Sequence, residues 1–264
     1  MTTSVLSERP PSLFRVNGIG LDVERRGRGA PLLVLYGEEA LELEAPVLAE
    51  LARDYELIIP SPPGFGRSER PDWIGSPDDI SYLYLDLVEG LGLGKVPAIG
   101  FSLGGWIALE MATKDDAFFS KLVLVDPYGV KLGGPTDRDI ADIWGLHPKE
   151  VTRLKWHDLD KGKRDFAAMP ESELAIIARN SETLARFCWD PYMHNPRLKR
   201  LLHRVRVPTL FIWGENDGIV TPAYGRACAE LVPGARLVTI PQAGHYPHIE
   251  QPAAALQHLR SFLD

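Results

Sequence analysis

A serine, an aspartate and a histidine occur in this chain in settings that suit nucleophilic catalysis. Ser102 lies in the segment GFSLGG, Asp217 closes the segment WGEND, and His245 follows a glycine near the C-terminus. A serine hydroxyl is a weak nucleophile until a base removes its proton, and that base needs a carboxylate to orient it. The three residue types therefore predict a nucleophile at Ser102, a base at His245 and an acid at Asp217.

The sequence around Ser102 gives the glycine pattern its meaning. An apolar run at 96–101 predicts a strand, and a helical pattern at 103–113 follows at once. Glycines on both sides allow a strained strand-to-helix turn that lifts the serine above the sheet edge, with the helix N-terminus beneath a developing negative charge. The alternative is a glycine-rich turn that only packs a helix against a sheet.

Other acidic and imidazole groups compete for the same roles. Asp126 follows a predicted strand at 121–125 and could replace Asp217 as the acid, or it could cap the strand end before a proline. His248 has the chemistry of a base but is expected to pack or to support the site. His245, His248 and Glu250 could suggest a metal site. Two histidines in an H-x-x-H pattern are a weak signal without a well-placed third ligand, however, so no metal site is expected.

Short apolar runs alternate with helical stretches along most of the chain. A hairpin with an Asn-Gly turn at 17–18 opens the pattern. Repeated strand-helix-strand units predict an α/β protein whose mainly parallel sheet is covered on both faces. The predicted strands are 31–36, 55–60, 96–101, 121–125, 208–213 and 236–240, and the predicted helices are 41–52, 78–91, 103–113, 224–231 and 252–262.

The pattern changes in the segment 131–206, which is charged and helical. It predicts a helical insertion over one end of the sheet, carried by a core of residues 1–130 and 207–264. Arg179 and Arg186 could line a substrate pocket beneath the insertion. The favoured interpretation has them face solvent, opposite an apolar helix stripe formed by Ile176, Ile177, Leu184 and Phe187.

Composition excludes several classes of protein. The 264 residues are 45% hydrophobic and carry a net charge of −7 without a basic stripe, so nucleic acid is not expected as a partner. Two cysteines do not make a secreted disulfide scaffold. The first 13 residues lack the apolar run of a signal peptide, and no run approaches the roughly 20 residues that span a bilayer. We therefore expect a cytoplasmic protein away from membranes; a homodimer is compatible with the sequence.

With these motifs in order, the sequence resembles the α/β-hydrolase superfamily over nearly its whole length. PGFGRS at 63–68 and HYPHIEQP at 245–252 extend the resemblance beyond the serine and aspartate segments. It implies a mainly parallel eight-stranded sheet, helices on both faces, a helical cap at 131–206, a small-molecule substrate and no cofactor. It also implies the triad Ser102, Asp217 and His245, with the backbone N–H of Leu103 forming half of an oxyanion hole.

The second half of the oxyanion hole departs from the family pattern. Members usually have His-Gly after the strand at 32–35, whereas this chain has YGEE at 36–39. The backbone N–H of Glu38 would be the second donor, but two carboxylates could oppose the charge that the hole must stabilise. Tyr36, Phe101 and Trp189 are candidate substrate contacts.

The leading functional hypothesis is a serine hydrolase that cleaves a small carboxylic ester through an acyl-enzyme. A carbon–carbon bond hydrolase of the meta-cleavage type shares the triad and cap, although its anionic substrates fit poorly beside two glutamates. A cofactor-free perhydrolase or lyase uses the same scaffold. From a different class, a non-catalytic ligand receptor would keep the fold and use the site only for binding.

Overall fold

Eleven strands and eight helices make up the part of the chain that the computed structural model describes, residues 13–40 and 45–264. The strands are β1 (Phe14–Val16), β2 (Ile19–Leu21), β3 (Val23–Gly27), β4 (Ala30–Leu35), β5 (Tyr55–Pro60), β6 (Val96–Phe101), β7 (Phe119–Val125), β8 (Gly129–Val130), β9 (His194–Asn195), β10 (Thr209–Gly214) and β11 (Arg236–Ile240). The helices are α1 (Pro46–Leu51), α2 (Pro77–Gly90), α3 (Leu103–Lys114), α4 (Pro148–Lys155), α5 (Glu171–Cys188), α6 (Pro222–Leu231), α7 (Pro247–Glu250) and α8 (Pro252–Leu263). Of the helix predicted at 41–52, residues 41–44 lie outside the described part.

The central sheet has the order β11–β10–β7–β6–β4–β5–β3. All neighbouring strands are parallel except β3, which runs antiparallel to β5 at one edge. The inner strands are apolar and almost wholly buried, which fits strands covered on both faces. This architecture confirms the predicted α/β class.

The sheet contains seven strands in the described residues, one fewer than the eight that the resemblance implies. The N-terminal hairpin forms as predicted, with Asn17 and Gly18 at positive φ, but β1 and β2 make a separate two-stranded sheet. The break lies at Asp22, whose backbone N–H bonds the Ser68 hydroxyl at 3.0 Å. That side-chain partner replaces a ladder partner, so the chain enters the central sheet only at β3.

The carboxyl ends of five adjacent strands deliver the chemically interesting side chains to one edge of the sheet. In the spatial order β11, β10, β7, β6 and β4, the segments after these strands carry His245, Asp217, Asp126, Ser102 and Glu38. Sites on open parallel sheets lie at this edge. Strand order thus brings together residues that are up to 207 positions apart in the chain.

Helix α5, within residues 131–206, docks on the loop 63–68. The Arg179 guanidinium donates to the carbonyl oxygens of Gly64 at 2.9 Å and Ser68 at 2.6 Å, and the Asn180 side chain accepts from the Gly66 amide at 3.0 Å. Arg179 is exposed, as expected, but its guanidinium also fastens the insertion to this loop. Ile176 is exposed, so the apolar stripe is shifted; the buried residues of α5 are Asn180, Thr183, Leu184, Phe187 and Cys188.

Among the helices of the described ranges, none combines the length and the apolar composition that crossing a bilayer requires.

Candidate active site

Ser102 sits at a strained turn between β6 and α3. Its backbone has φ +47° and ψ −112°, a conformation that a side-chain-bearing residue adopts only where the surroundings enforce it. The enforcement is visible on both sides: the Ser102 amide bonds the Val125 carbonyl at 2.9 Å, and a Cβ on Gly104 would lie 2.1 Å from the Leu35 carbonyl oxygen. Glycine at 104 lets α3 begin close against β4. Leu103 opens α3, so its backbone N–H has no partner within the helix.

Ser102, His245 and Asp217 form a continuous hydrogen-bonded chain. The Ser102 Oγ lies 2.7 Å from Nε2 of His245, and Nδ1 of His245 lies 2.8 Å from an oxygen of Asp217. The other Asp217 oxygen accepts the amides of Ile219 and Val220 at 2.8 and 3.1 Å. A proton on Nδ1 therefore leaves Nε2 free to accept the serine proton.

Burial and charge act in opposite directions on His245. Burial lowers the pKa of the imidazole, but the Asp217 carboxylate and its hydrogen bond raise it, and the net pKa lies above the ordinary value of 6.5. The three side chains are nearly inaccessible, with exposures of 2% for Ser102, 1% for His245 and 3% for Asp217. A substrate must displace whatever covers them.

Asp126 lies beside this chain of hydrogen bonds and is not bonded to His245 in it. Its Oδ1 accepts the Gly214 amide at 2.9 Å. Ligand-capable atoms of Asp126, Asp217 and His245 lie within 4.8 Å of one another, a spacing that could suit a metal ion. Both nitrogens of His245 are already engaged, however, by Ser102 and Asp217.

The Glu38 carboxylate faces the nucleophile. Its Oε2 accepts hydrogen bonds of 3.0 Å from the hydroxyls of both Ser102 and Tyr128, and its Oε1 lies 3.3 Å from the Lys155 ammonium. Burial alone would raise the pKa of Glu38, but Lys155, His245 and the backbone amide of Glu38 itself lower it to about 2. An ionised carboxylate thus lies beside the serine and engages the amide expected to stabilise an oxyanion.

A second carboxylate and two cations complete this charged cluster. Lys155 also pairs with Glu39, which in turn lies 3.5 Å from Arg164 and accepts the Tyr246 hydroxyl at 3.2 Å. Burial lowers the pKa of Lys155, but Glu39 and Glu38 together raise it above its ordinary value. Two acidic and two basic side chains therefore face each other, and the excess negative charge expected from the sequence is compensated.

The end of α4 is bonded to the backbone that carries the triad. The Lys155 carbonyl accepts the His245 amide at 2.7 Å, and the Leu154 carbonyl accepts the Gly218 amide at 2.9 Å. A Cβ on Gly244 would lie 2.3 Å from the Lys155 carbonyl oxygen, so this approach requires glycine. Segment 154–158 is therefore a wall of the site.

Glu250 holds the same segment through hydrogen bonds to its backbone. Its carboxylate accepts the amides of Gly244 at 2.6 Å, His157 at 3.3 Å and Asp158 at 2.7 Å. The Glu250 carboxylate therefore has a structural role, since it joins the backbone of segment 154–158 to that beside His245. His248, the rival base, packs against Phe101 with ring centroids 4.4 Å apart, and burial lowers its pKa to about 3.

The three expected substrate contacts have different locations. Tyr36 and Phe101 are buried near the site, at 3% and 1% exposure. Trp189 is 63% exposed and packs against Trp144 beside a surface cavity of about 520 Å³ that no triad residue lines. Trp189 follows the last residue of helix α5, and its role as a substrate contact stays a prediction.

Sequence reasoning missed Lys155 and Tyr128. Lys155 is one of several lysines in a charged, motif-free segment, and only the packing of α4 brings it to Glu38. Tyr128 follows Asp126-Pro127 and could have been noticed, because it comes shortly after the carboxyl end of a predicted central strand.

Comparison with known proteins identifies the family and agrees with the fold. A profile of the Alpha/beta hydrolase family matches residues 32–257. The pimeloyl-[acyl-carrier protein] methyl ester esterase of Stenotrophomonas maltophilia is 28% identical, over 90% of this chain and 95% of the relative. The 2-hydroxymuconate semialdehyde hydrolase of Pseudomonas sp. (strain CF600) is 26% identical, over 93% and 91%. The solved meta-cleavage product hydrolase from Pseudomonas fluorescens IP01 superposes with a TM-score of 0.75 at 18% identity, covering 95% of this chain and 97% of that one, and shows the fold.

The fold, the family profile and the relatives define an enzyme of the hydrolase class. The chain belongs to the Alpha/beta hydrolase family.

Proposed function

We propose that this enzyme cleaves a small carboxylic ester through an acyl-enzyme, with Ser102 as nucleophile, His245 as base and Asp217 as the orienting acid. The observation that carries the proposal is the chain of two short hydrogen bonds, 2.7 and 2.8 Å, that joins the three side chains at the carboxyl edge of the sheet. Esterases and lipases among the relatives support the same reaction class.

The proposed reaction has two halves. Ser102 Oγ attacks the ester carbonyl carbon while Nε2 of His245 takes the hydroxyl proton, and Asp217 stabilises the imidazolium that forms. The tetrahedral intermediate collapses, and the alcohol leaves with the proton from His245. In the second half, His245 removes a proton from a water molecule, and that water attacks the carbonyl carbon of the acyl-serine. The carboxylic acid is then released, and Ser102 recovers its proton from His245.

Glu38 must yield for the oxyanion to form. The proposed donors are the backbone N–H groups of Leu103 and Glu38, and the Glu38 amide contributes to the stabilisation of its own carboxylate. Rotation of that side chain toward Lys155, 3.3 Å away, would keep the ion pair and release the amide. We propose that substrate binding drives this exchange.

Residues 131–206 are proposed to act as a cap that selects the substrate. Lys155, Arg164 and the wall at 154–158 come from this segment, and the nucleophile lies buried beneath it. We propose residues 1–130 and 207–264 as the core that carries this cap. The proposed substrate of the enzyme is a small molecule that reaches Ser102 when the cap moves.

A second candidate, cleavage of a carbon–carbon bond in a meta-cleavage product, gains support from the charged cluster. Lys155 and Arg164 compensate Glu38 and Glu39, which removes the main objection to an anionic substrate. A relative is named as a hydrolase of 2-hydroxymuconate semialdehyde. The two candidates share the triad and differ in the bond that breaks.

A substrate panel distinguishes them. Purified enzyme is assayed with p-nitrophenyl esters of increasing acyl length and, in parallel, with a coloured meta-cleavage product whose absorbance falls on cleavage. Turnover of esters alone supports the proposal. Turnover of the meta-cleavage product at a much higher kcat/KM than that of any ester would replace the proposal by the second candidate. Ser102→Ala serves as the blank in both assays.

A further inference from the structure

Asp126 is a wholly buried carboxyl group that the proposed mechanism does not use. It is 0% exposed, its Oδ1 accepts one backbone amide, and its Oδ2 has no hydrogen-bond partner among the described residues. An ionised carboxylate with an unpartnered buried oxygen is costly. Asp126 also has φ +43°, a strained backbone that aspartate and asparagine tolerate better than most residues.

The neighbours of Asp126 are mostly negative. Ligand-capable atoms of Asp217 and His245 lie within 4.8 Å of it, and the negative charges of Asp217 and Glu250 both raise its pKa. Two carboxylates this close in a buried site do not both ionise readily. One of the pair is therefore expected to hold a proton.

The number of donors decides which carboxyl carries that proton. Asp217 accepts three hydrogen bonds, from the amides of Ile219 and Val220 and from His245. Asp126 accepts one, from Gly214. Burial, followed by the charge of Asp217, raises the pKa of Asp126 well above its ordinary value, which agrees with the count.

We propose that Asp126 is held as a neutral carboxylic acid whose hydroxyl donates a hydrogen bond to Asp217, and that it acts as a positioning residue for the Asp217–His245 pair. The hydroxyl supplies the partner that Oδ2 otherwise lacks. It also fixes the Asp217 carboxylate toward Nδ1 and moderates its basicity. The bonds of Asp126 to Ile212 and Gly214 tie this acid to the strand that carries Asp217.

The role in catalysis rests on the proposed function, but the protonation state can be measured without it. Infrared difference spectra of wild type minus Asp126→Asn at pH 7 should show the carbonyl band of a protonated carboxyl group, with a small shift in D₂O. A carboxylate band in its place would overturn the proposal. Because this reading needs no turnover, it stands even if the enzyme proves inactive on every ester.

Kinetic variants test the positioning role. Asparagine keeps an N–H donor toward Asp217 and an acceptor for Gly214, whereas glycine tolerates the positive φ but removes both groups. Asp126→Asn should retain kcat/KM within about threefold, and Asp126→Gly should lose about tenfold or more. In Asp126→Gly the acid limb of the pH profile should also move upward, because an Asp217 without its donor holds the proton on His245 more strongly.

Thermal unfolding of both variants separates positioning from packing. Equal losses and identical pH profiles in the two folded variants would overturn the proposal, because a packing role does not distinguish a donor from its absence. An Asp126→Asn loss as large as that of Asp217→Asn would overturn it as well, since Asp126 would then act as an ionised acid. If Asp126→Gly does not fold, the infrared spectrum and the Asp126→Asn kinetics decide.

Discussion

The Oε2 atom of Glu38 lies 3.0 Å from the Oγ atom of Ser102, the same atom that lies 2.7 Å from Nε2 of His245. One serine proton thus has two acceptors within reach. Donation to Glu38 leaves the serine a poor nucleophile, and donation to His245 prepares it for attack. In the proposed mechanism, the resting enzyme keeps the Ser102 hydroxyl hydrogen-bonded to Glu38 and therefore weakly nucleophilic until the Glu38 carboxylate moves.

Replacing Glu38 by glutamine should raise the rate of ester cleavage. The substitution removes a negative charge from the place where the oxyanion develops, and we expect kcat to rise about tenfold because the repulsion is partly compensated by Lys155. An anionic ester should gain more than its neutral isostere. The measurement is steady-state kinetics on both esters.

Glu39→Gln is the matched control for that substitution, because Glu39 also pairs with Lys155 while its other contacts in the described residues are Arg164 and the Tyr246 hydroxyl. It should change kcat less than Glu38→Gln. A fall in kcat specific to Glu38→Gln would mean that the carboxylate assists the chemistry. The proposal that Glu38 keeps Ser102 weakly nucleophilic would then be wrong.

Glu38 should also make the fold sensitive to acid. Its pKa is about 2 in the folded chain against 4.5 ordinarily, so its stabilising effect is complete above pH 4.5 and is lost as the pH falls toward 2. The shift corresponds to roughly 3 kcal/mol. Urea unfolding of wild type and Glu38→Gln from pH 7 to pH 3 should show a stability difference that shrinks in acid; a constant difference would contradict the ion-pair account.

The pH profile of hydrolysis should report His245. Its imidazole must be neutral to accept the serine proton, and its pKa is raised above 6.5 by Asp217 despite burial. Activity should therefore fall on the acid side with a midpoint above 6.5, measured as kcat/KM for a neutral ester. A profile that stays flat through this range while chemistry limits the rate is incompatible with His245 as base.

The close approach of Gly244 to the Lys155 carbonyl should make even one methyl group harmful. Gly244→Ala would force segment 154–158 away from the triad, so we expect a loss of about 1–3 kcal/mol in stability together with a lower kcat. Gly75→Ala is the control, since its added Cβ meets no heavy atom within 4 Å. Equal thermal midpoints and rates for the two variants would show that the wall at 154–158 is not needed.

Local patterns predicted much of this molecule, and packing determined the remainder. The strand limits of β6 and β11 and the elbow at Ser102 follow from apolar runs and glycine placement, which are local signals. The contacts of Lys155 and Arg179 depend on how the inserted helices dock, and no periodicity encodes that. The hydrogen bond of His245 to Asp217 could not be predicted from the sequence alone, because Asp217 and Asp126 both follow strands at the same edge of the sheet.

Labelling by a fluorophosphonate probe tests the central claim most directly, because the probe bonds only to a serine whose proton a base can remove. Peptide mass spectrometry should locate the phosphonyl group on Ser102 in the wild type. Ser102→Ala should show no label and a loss of ester turnover of about 10³-fold or more, while a folded His245→Ala should label far more slowly. A wild-type chain that stays unlabelled at Ser102, or a Ser102→Ala chain that hydrolyses esters at the normal rate, would contradict the account and leave the site to a ligand receptor or to another nucleophile.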